Sequence, residues 1–359
     1  MSFVRFQNTD IVNDTARITT STWSNNTNSL TSVFTSSLQK HKPLVASPSS
    51  SGAHYIDVYD KAESDATREV QFSIAYGHVA GSGSKNFTHA VGSYGKSPSR
   101  NIYSQYRQLV YGTETQNFNF NGHTPDDIYV INVNRARYKH NLKPGSLNLK
   151  LASASIAVHL TDDSVTLTGS STVTNAGRQF NIVSGSNGIM LGSSLTQVTN
   201  SGSYGFFYPD SGFIILNADA IGEKLRNKGA TGGQNVQGYG GVYAGSGSQF
   251  SNTQRDNHQN LFYAIESGSS FVLDSEEKVS STYYFARARN FEFNYTTNPS
   301  FADNNGNVLI NSMIDNPTSY ITTVGMYNDS GNLLAVAKLS QPITKDFTKE
   351  ALIRVKLDY

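Results

Sequence analysis

The sequence predicts a mainly β protein: antiparallel β-sandwich domains joined by turns, with a few short helices. Three observations carry that expectation. Several segments alternate apolar and polar side chains with a period of two, as in Glu69-Val-Gln-Phe-Ser-Ile-Ala-Tyr76, where Val70, Phe72, Ile74 and Tyr76 share one face. Residues that favour pleated surfaces are abundant, with 20 Tyr and 19 Phe against one tryptophan, Trp23. Only 37% of the 359 residues are apolar and 15% charged, and Ser, Thr, Asn and Gly fill the difference, a profile of short strands linked by turns.

From the N-terminus, Leu30, Val33, Phe34 and Leu38 recur at helical spacing and predict a helix over 29–39 with Asn28 as its N-cap. A Ser/Pro-rich connector over 42–52 leads to strands at 55–59 and 69–76. Residues 99–112 read as a capped helix closed by Gly112, followed by a nearly all-apolar, central strand over 128–133 and another strand at 147–151. From residue 161 the composition shifts. A strand-like run at 164–168 opens a long stretch rich in Gly, Ser, Asn and Thr, broken by Phe206-Phe-Tyr208, Phe213-Ile-Ile-Leu216 and a short helix over 218–228 with Asn217 at its start and Gly229 at its end. Residues 229–247 hold eight glycines and little that can offset backbone entropy, so this piece is expected to be either mobile or ordered by a neighbouring subunit. Regular strands resume at Asp274 and include 282–288 and 289–295. The expected organisation is an N-terminal β-rich domain over 1–160, an inserted Gly/Ser/Asn-rich β domain over 161–260, and a C-terminal β domain over 261–359 that packs with the N-terminal part.

The C-terminal stretch can be read residue by residue. Residues 320–327 alternate, Asn328-Asp-Ser-Gly-Asn332 supplies turn chemistry, and 333–339 resume the alternation, which makes a hairpin. Gln341-Pro342 reads as a break in the chain. The last strand, 351–359, sets Leu352, Arg354 and Lys356 on one face and Ile353, Val355 and Leu357 on the other. It is expected to dock in its own sheet or at a subunit contact.

Charge and cysteine content work by exclusion. Lys plus Arg number 28 and Asp plus Glu 27, so the net balance gives no reason to expect nucleic acid or an anionic membrane as a partner. With no cysteine there is neither a disulfide framework nor a thiolate metal site, which fits folding in a reducing cytoplasm. Met1-Ser-Phe-Val-Arg5 lacks the pattern of a signal peptide and no window approaches a transmembrane span, so a soluble, unexported chain is expected.

Candidate chemistry is thin. The eight histidines (His41, His54, His78, His89, His123, His140, His159 and His258) match no metal-ligand spacing, and a His78 to His89 hairpin would supply two ligands at best. Gly81-Ser-Gly-Ser-Lys85 follows a strand but lacks the glycine spacing and helix of a phosphate loop, so it reads as a hairpin tip. Asp126-Asp127 and Asp162-Asp163 are adjacent carboxylates that would point to opposite faces of a strand and are read as turn residues. Glu266, Asp274, Glu276 and Glu277 lie near Phe262, Tyr263 and Phe271, the acid-and-aromatic combination a glycoside-cleaving spike needs, without the fixed-period repeats of a β-helix. Arg135, Arg137, Tyr138, Lys139 and His140 make a basic, aromatic-containing patch, read as a protein contact in preference to a nucleic-acid site.

Three runs carry a resemblance: 319–340 with the basic strand ending in Lys-Leu-Asp-Tyr359, Val70-Gln-Phe-Ser-Ile-Ala-Tyr-Gly-His78 with Ser104-Gln-Tyr-Arg-Gln-Leu109, and Asp127-Ile-Tyr-Val-Ile-Asn-Val-Asn-Arg-Ala-Arg-Tyr138. Together, over about half of the chain, they resemble baseplate and other virion structural proteins of T4-like contractile-tailed phages. That resemblance implies a non-enzymatic structural subunit with no cofactor and no catalytic residue, present in multiple copies and held among other tail and baseplate proteins in a particle assembled in the host cytoplasm. It also implies interfaces, for which the terminal strand (Ile353, Arg354, Val355, Lys356, Leu357) and the patch at Arg135, Arg137 and Tyr138 are the candidates. A receptor- or glycan-binding tail fibre or spike protein, and a neck or head decoration protein, are the alternatives.

Overall fold

The computed structural model describes residues 4–24, 55–61, 64–81, 98–153, 156–166, 171–191, 202–225, 257–296 and 298–358. The expected helix over 29–39, the connector over 42–52, residues 82–85 of the hairpin tip and the Gly-rich 229–247 lie outside them.

In chain order the strands are β1 (Ile11–Ser21), β2 (Tyr55–Tyr59), β3 (Val70–His78), β4 (Asp127–Val133), β5 (Asn141–Leu142), β6 (Asn148–Ser153), β7 (Ile156–Asp162), β8 (Thr172–Thr174), β9 (Gly177–Ser186) and β10 (Ile189–Met190). They continue with β11 (Gly205–Tyr208), β12 (Phe213–Asn217), β13 (Ser270–Val272), β14 (Asp274–Ala288), β15 (Ser319–Tyr327), β16 (Leu333–Lys345) and β17 (Ala351–Asp358). The helices are α1 (Pro98–Tyr111), α2 (Ala218–Leu225) and α3 (Asn257–Gly268). The protein is therefore mainly β, with antiparallel sheets and three short helices among the described residues. It divides into two compact units, Ile18–Glu277 and Met1–Arg17 with Lys278–Tyr359.

The larger unit is built on one sheet in the order β13-β6-β7-β9-β11-β12-β4-β3-β2, with β8 and β10 paired to β9. As its apolar run predicts, β4 is central and buried on both faces. Tyr129, Ile131 and Val133 join a core with α2 and α3, whereas Ile128 and Val130 join a second core with α1. Helices pack on both faces of this sheet. Ile74, Ile131 and Ile214 stand opposite one another across β3, β4 and β12, each fully buried; burying an isoleucine side chain stabilises by about 1.5–3 kcal/mol. Helix α1 lies so close to β3 that a Cβ on Gly77 would sit 2.9 Å from the Tyr103 backbone nitrogen, which explains a glycine in the middle of a strand. The predicted helix ends hold where they are described. Gly112, at φ +73°, donates to the Gln108 carbonyl at 2.9 Å, and Asn217 Oδ1 accepts from the Ala220 amide at 3.2 Å.

The composition shift at residue 161 does not mark a break in this unit. Position 161 lies inside β7, and β9, β11 and β12 share the sheet of β4 and β6. The run at 164–166 is a turn closed by the Thr166 amide on the Asp163 carbonyl at 3.1 Å, in place of the expected strand.

The smaller unit pairs β14 with β17 in antiparallel register from Ser281↔Asp358 to Ala288↔Ala351, with β1 on the other side of β14. The inner faces of β14 and β17 pack against the hairpin β15–β16, burying Met326, Ile353 and Val355 against Tyr284, Val324, Ala337 and Ile343. Pro342 does not end β16. The register jumps from Thr323↔Lys338 to Ile321↔Ile343, so Pro342 falls in the bulge, where no ladder hydrogen bond is asked of it. Residues 289–295 are not a strand despite their alternating aromatics: Phe293 has φ +56°, and the segment wraps around Lys345. Lys345 is fully buried, its Nζ donating to the Asn290 carbonyl at 2.9 Å, Asn294 Oδ1 at 2.7 Å and the Asp346 carbonyl at 2.9 Å.

Candidate functional site

The smaller unit leaves an unusual amount of apolar surface in water. Sixteen of the twenty-three exposed large apolar side chains among the described residues belong to it, although it holds well under a third of the chain. On the outer face of the hairpin Tyr327, Leu333, Leu334 and Val336 form one patch, with Leu334 69% and Val336 57% exposed. Gly325 lies beneath that patch: a Cβ there would meet the Tyr327 ring at 3.0 Å and Leu333 at 3.4 Å, so these side chains cover the gap that glycine leaves in the outer face. Contiguous apolar surface of this kind marks interaction sites, since each Å² removed from water is worth roughly 25 cal/mol.

The outer face of β14–β17 has a different character. Tyr283, Phe285 and Arg287 on β14 stand opposite Lys356, Arg354 and Leu352 on β17. The Arg354 guanidinium lies 5.5 Å and Lys356 Nζ 5.9 Å from the Tyr283 ring centroid. Lys356 also pairs with Asp358 at 2.9 Å, and that hydrogen bond raises its pKa. Among the described residues, Arg287 and Arg354 have no carboxylate within ion-pair distance.

Of the five terminal-strand residues expected at an interface, only Arg354 and Lys356 therefore face outward. Ile353 and Val355 are buried in the unit's own core, with Leu357 packed against it. In the patch at Arg135, Arg137 and Tyr138 the last two are likewise engaged internally, whereas Arg135 is exposed. Arg135 Nη1 donates to the Tyr138 carbonyl at 2.6 Å and stacks over the Tyr138 ring at 4.6 Å. Arg137 donates to Ser24 Oγ at 2.6 Å and pairs with Glu69 at 2.8 Å, while the buried Tyr138 donates its hydroxyl to the Ser211 carbonyl at 3.2 Å. Arg137 and Tyr138 thus strap loops of the larger unit together.

No family model, curated protein or solved structure matches this chain.

The remaining acidic groups sort by burial. Asp162 and Asp163 are both buried at the end of β7, where Gly145 N donates to Asp162 at 2.8 Å and Asn181 N to Asp163 at 3.0 Å; burial raises both pKa values. They fix loop backbone. Phe262 and Phe271, the aromatics beside the Glu266 to Glu277 acids, are core residues, with Phe271 packed on Trp23 and Phe72 at 5.0 and 5.3 Å between ring centroids. No group of three or more His, Asp or Glu placed to hold a metal occurs among the described residues.

One cluster escaped the sequence reading. Asp127 is not a turn residue but the first residue of β4, buried, its carboxyl Oδ2 accepting from the Tyr76 hydroxyl at 3.1 Å. Tyr129, two residues on and so on the same face, stands directly opposite Tyr76, with ring centroids 5.6 Å apart. Among the described residues its buried hydroxyl has no hydrogen-bond partner. Asp219, at the start of α2, adds its charge and pairs with His123 at 2.9 Å. Burial first, and then the Asp219 charge, pushes the Asp127 carboxyl up to about 8. It therefore keeps its proton at neutral pH. His78, opposite Asp127 in register, accepts from the Ala80 amide through Nδ1 at 3.0 Å, and burial lowers its pKa. Nothing in the spacing of positions 76, 127, 129 and 219 signals this cluster; only the β3–β4 pairing and the seat of α2 assemble it.

Proposed function

We propose that the chain is a structural subunit of a contractile phage tail, of the baseplate, that works through protein-protein interfaces and has no catalytic site. The observation that carries this reading is the apolar outer face of the β15–β16 hairpin, which the unit's own core leaves in water. The resemblance of residues 319–340 and 127–138 to tail and baseplate proteins supports the setting, in which the neighbours are other tail and baseplate proteins and the subunit is present in multiple copies. Its work there is mechanical: large contacts hold one arrangement until a trigger favours another.

Deleting the terminal strand cannot test this, because it removes Ile353 and Val355 from the core. The informative variant is Leu334→Asp with Val336→Asp. Both side chains are exposed, so the melting temperature is expected to shift by less than ~2 °C, while incorporation into purified particles, quantified by mass spectrometry, falls ~10-fold or more. Undiminished incorporation of the double variant, or absence of the wild-type chain from purified tails, defeats the reading. Location of the labelled chain on capsids or fibre tips would transfer it to the decoration or receptor-binding alternatives.

A further inference from the structure

We propose that the outer edge of β17 is a strand-addition site for an extended, acidic segment of a partner protein. This goes beyond the assembly reading, which rests on the hairpin face, and stands or falls separately from it. The strand closes its sheet: β14 lies on one side, and among the described residues no hydrogen bond reaches the backbone of 351–358 from the other. A strand edge with unpaired N–H and C=O groups is a template for another strand.

The side chains specify what kind of strand. The register of β17 is fixed, because Ile353 and Val355 are locked in the core while Arg354 and Lys356 point out. An added antiparallel strand would bring its outward side chains within ~5 Å of those two cations, where opposite charge is favourable. Its inward positions would continue the apolar core beside Ile353 and Val355. The occupant is therefore a segment alternating acidic and apolar residues. Arg287 on β14 extends the cationic stripe, and Tyr283 braces Arg354 and Lys356 in place. Of the acids beside Lys356, Asp358 is tied to Lys356 at 2.9 Å and to the Ser281 hydroxyl at 2.6 Å, and Asp14 adds only a longer-range charge. A second copy of β17 is a poor occupant. Antiparallel self-pairing centred on Val355 sets Arg354 against Lys356, and like charges directly opposite are destabilising.

The test uses the full chain and a short fluorescent peptide alternating Glu and Val, followed by anisotropy at low salt. The peptide is expected to bind ~10-fold or more tightly than its Lys-for-Glu counterpart. Full N-methylation, which keeps the charges and removes the strand donors, is expected to abolish binding, and Arg354→Glu with Lys356→Glu to invert the peptide preference at unchanged melting temperature. Equal binding of the N-methylated peptide would reduce the site to loose charge attraction and overturn the proposal. So would a lack of discrimination between the two peptides, or tighter binding of a single-stranded oligonucleotide. The Leu334→Asp, Val336→Asp variant should bind the peptide normally, so failure of either proposal is visible without the other.

Discussion

Asp127→Asn is expected to stabilise the larger unit at pH 7 by ~2–4 kcal/mol and to remove much of its pH dependence between about pH 4 and 8. The folded-state carboxyl titrates near 8, through burial and the Asp219 charge, whereas in the unfolded chain it returns to ~3.9. Between those values the folded protein binds one proton more than the unfolded chain. Stability contributed by this group is thus fully present below about pH 4 and falls by ~1.4 kcal/mol per unit as pH rises toward 8, with no further loss beyond. Asparagine keeps the size of the side chain and an oxygen able to accept from Tyr76, now 3.1 Å from Oδ2, while removing the charge. Trp23, the one tryptophan, is buried in this unit and donates Nε1 to the Phe271 carbonyl at 3.0 Å, so urea unfolding followed by its fluorescence reports the right unit. Comparing variant with wild type cancels His78, whose lowered pKa gives the opposite slope. The gap between the two proteins should widen from pH 5 to pH 8; a constant gap would show that Asp127 titrates normally.

The second large effect is expected at Lys345. Its three ammonium donors are met by three neutral oxygens, and among the described residues no carboxylate lies within ion-pair distance. Lys345→Met keeps the aliphatic stem and leaves Asn294 Oδ1 and the Asp346 carbonyl without the ammonium, while the Asn290 carbonyl keeps the Asn294 Nδ2 donor at 2.6 Å. At ~1–3 kcal/mol for each buried acceptor left unpaired, the smaller unit should lose about 3 kcal/mol or more, visible by calorimetry as a fall of more than ~10 °C in the transition of a unit this size. Hydrogen exchange should quicken first at residues 289–296, which Lys345 holds in their irregular path. An unchanged transition would mean that the loop keeps its shape without the cation.

What the sequence disclosed followed from side-chain periodicity. β3, β4, the β15–β16 hairpin and β17 alternate, or run apolar throughout, because their burial is set by sheet faces alone. Strand β9 escaped because its buried residues, Phe180, Ile182 and Val183, sit among Gly, Asn and Ser, a composition shared with loops. Residues 289–295 misled in the other direction: Phe291, Phe293 and Tyr295 alternate but are exposed, and the backbone there follows a lysine more than fifty positions away. The interface residues divide the same way. The two faces of β17 could be told apart from alternation, but which face the protein would use for its own core depends on the hairpin, and alternation carries no information about partners.

The ladder of Ile74, Ile131 and Ile214 also governs how the protein arrives at this state. Closing it demands that β4 find β3 and β12 across long intervening chain, and loop-closure entropy must be met before those contacts reward it. The β15–β16 hairpin closes over the five-residue turn 328–332, and such hairpins form in ~1–10 μs, while sheets of non-local pairings take milliseconds to seconds. During refolding the hairpin, with Leu334 and Val336 outward, therefore exists while the isoleucine ladder is still open. The yield of native protein should be limited by what the hairpin sticks to in that interval, and refolding should improve on dilution far more than on slowing the removal of denaturant.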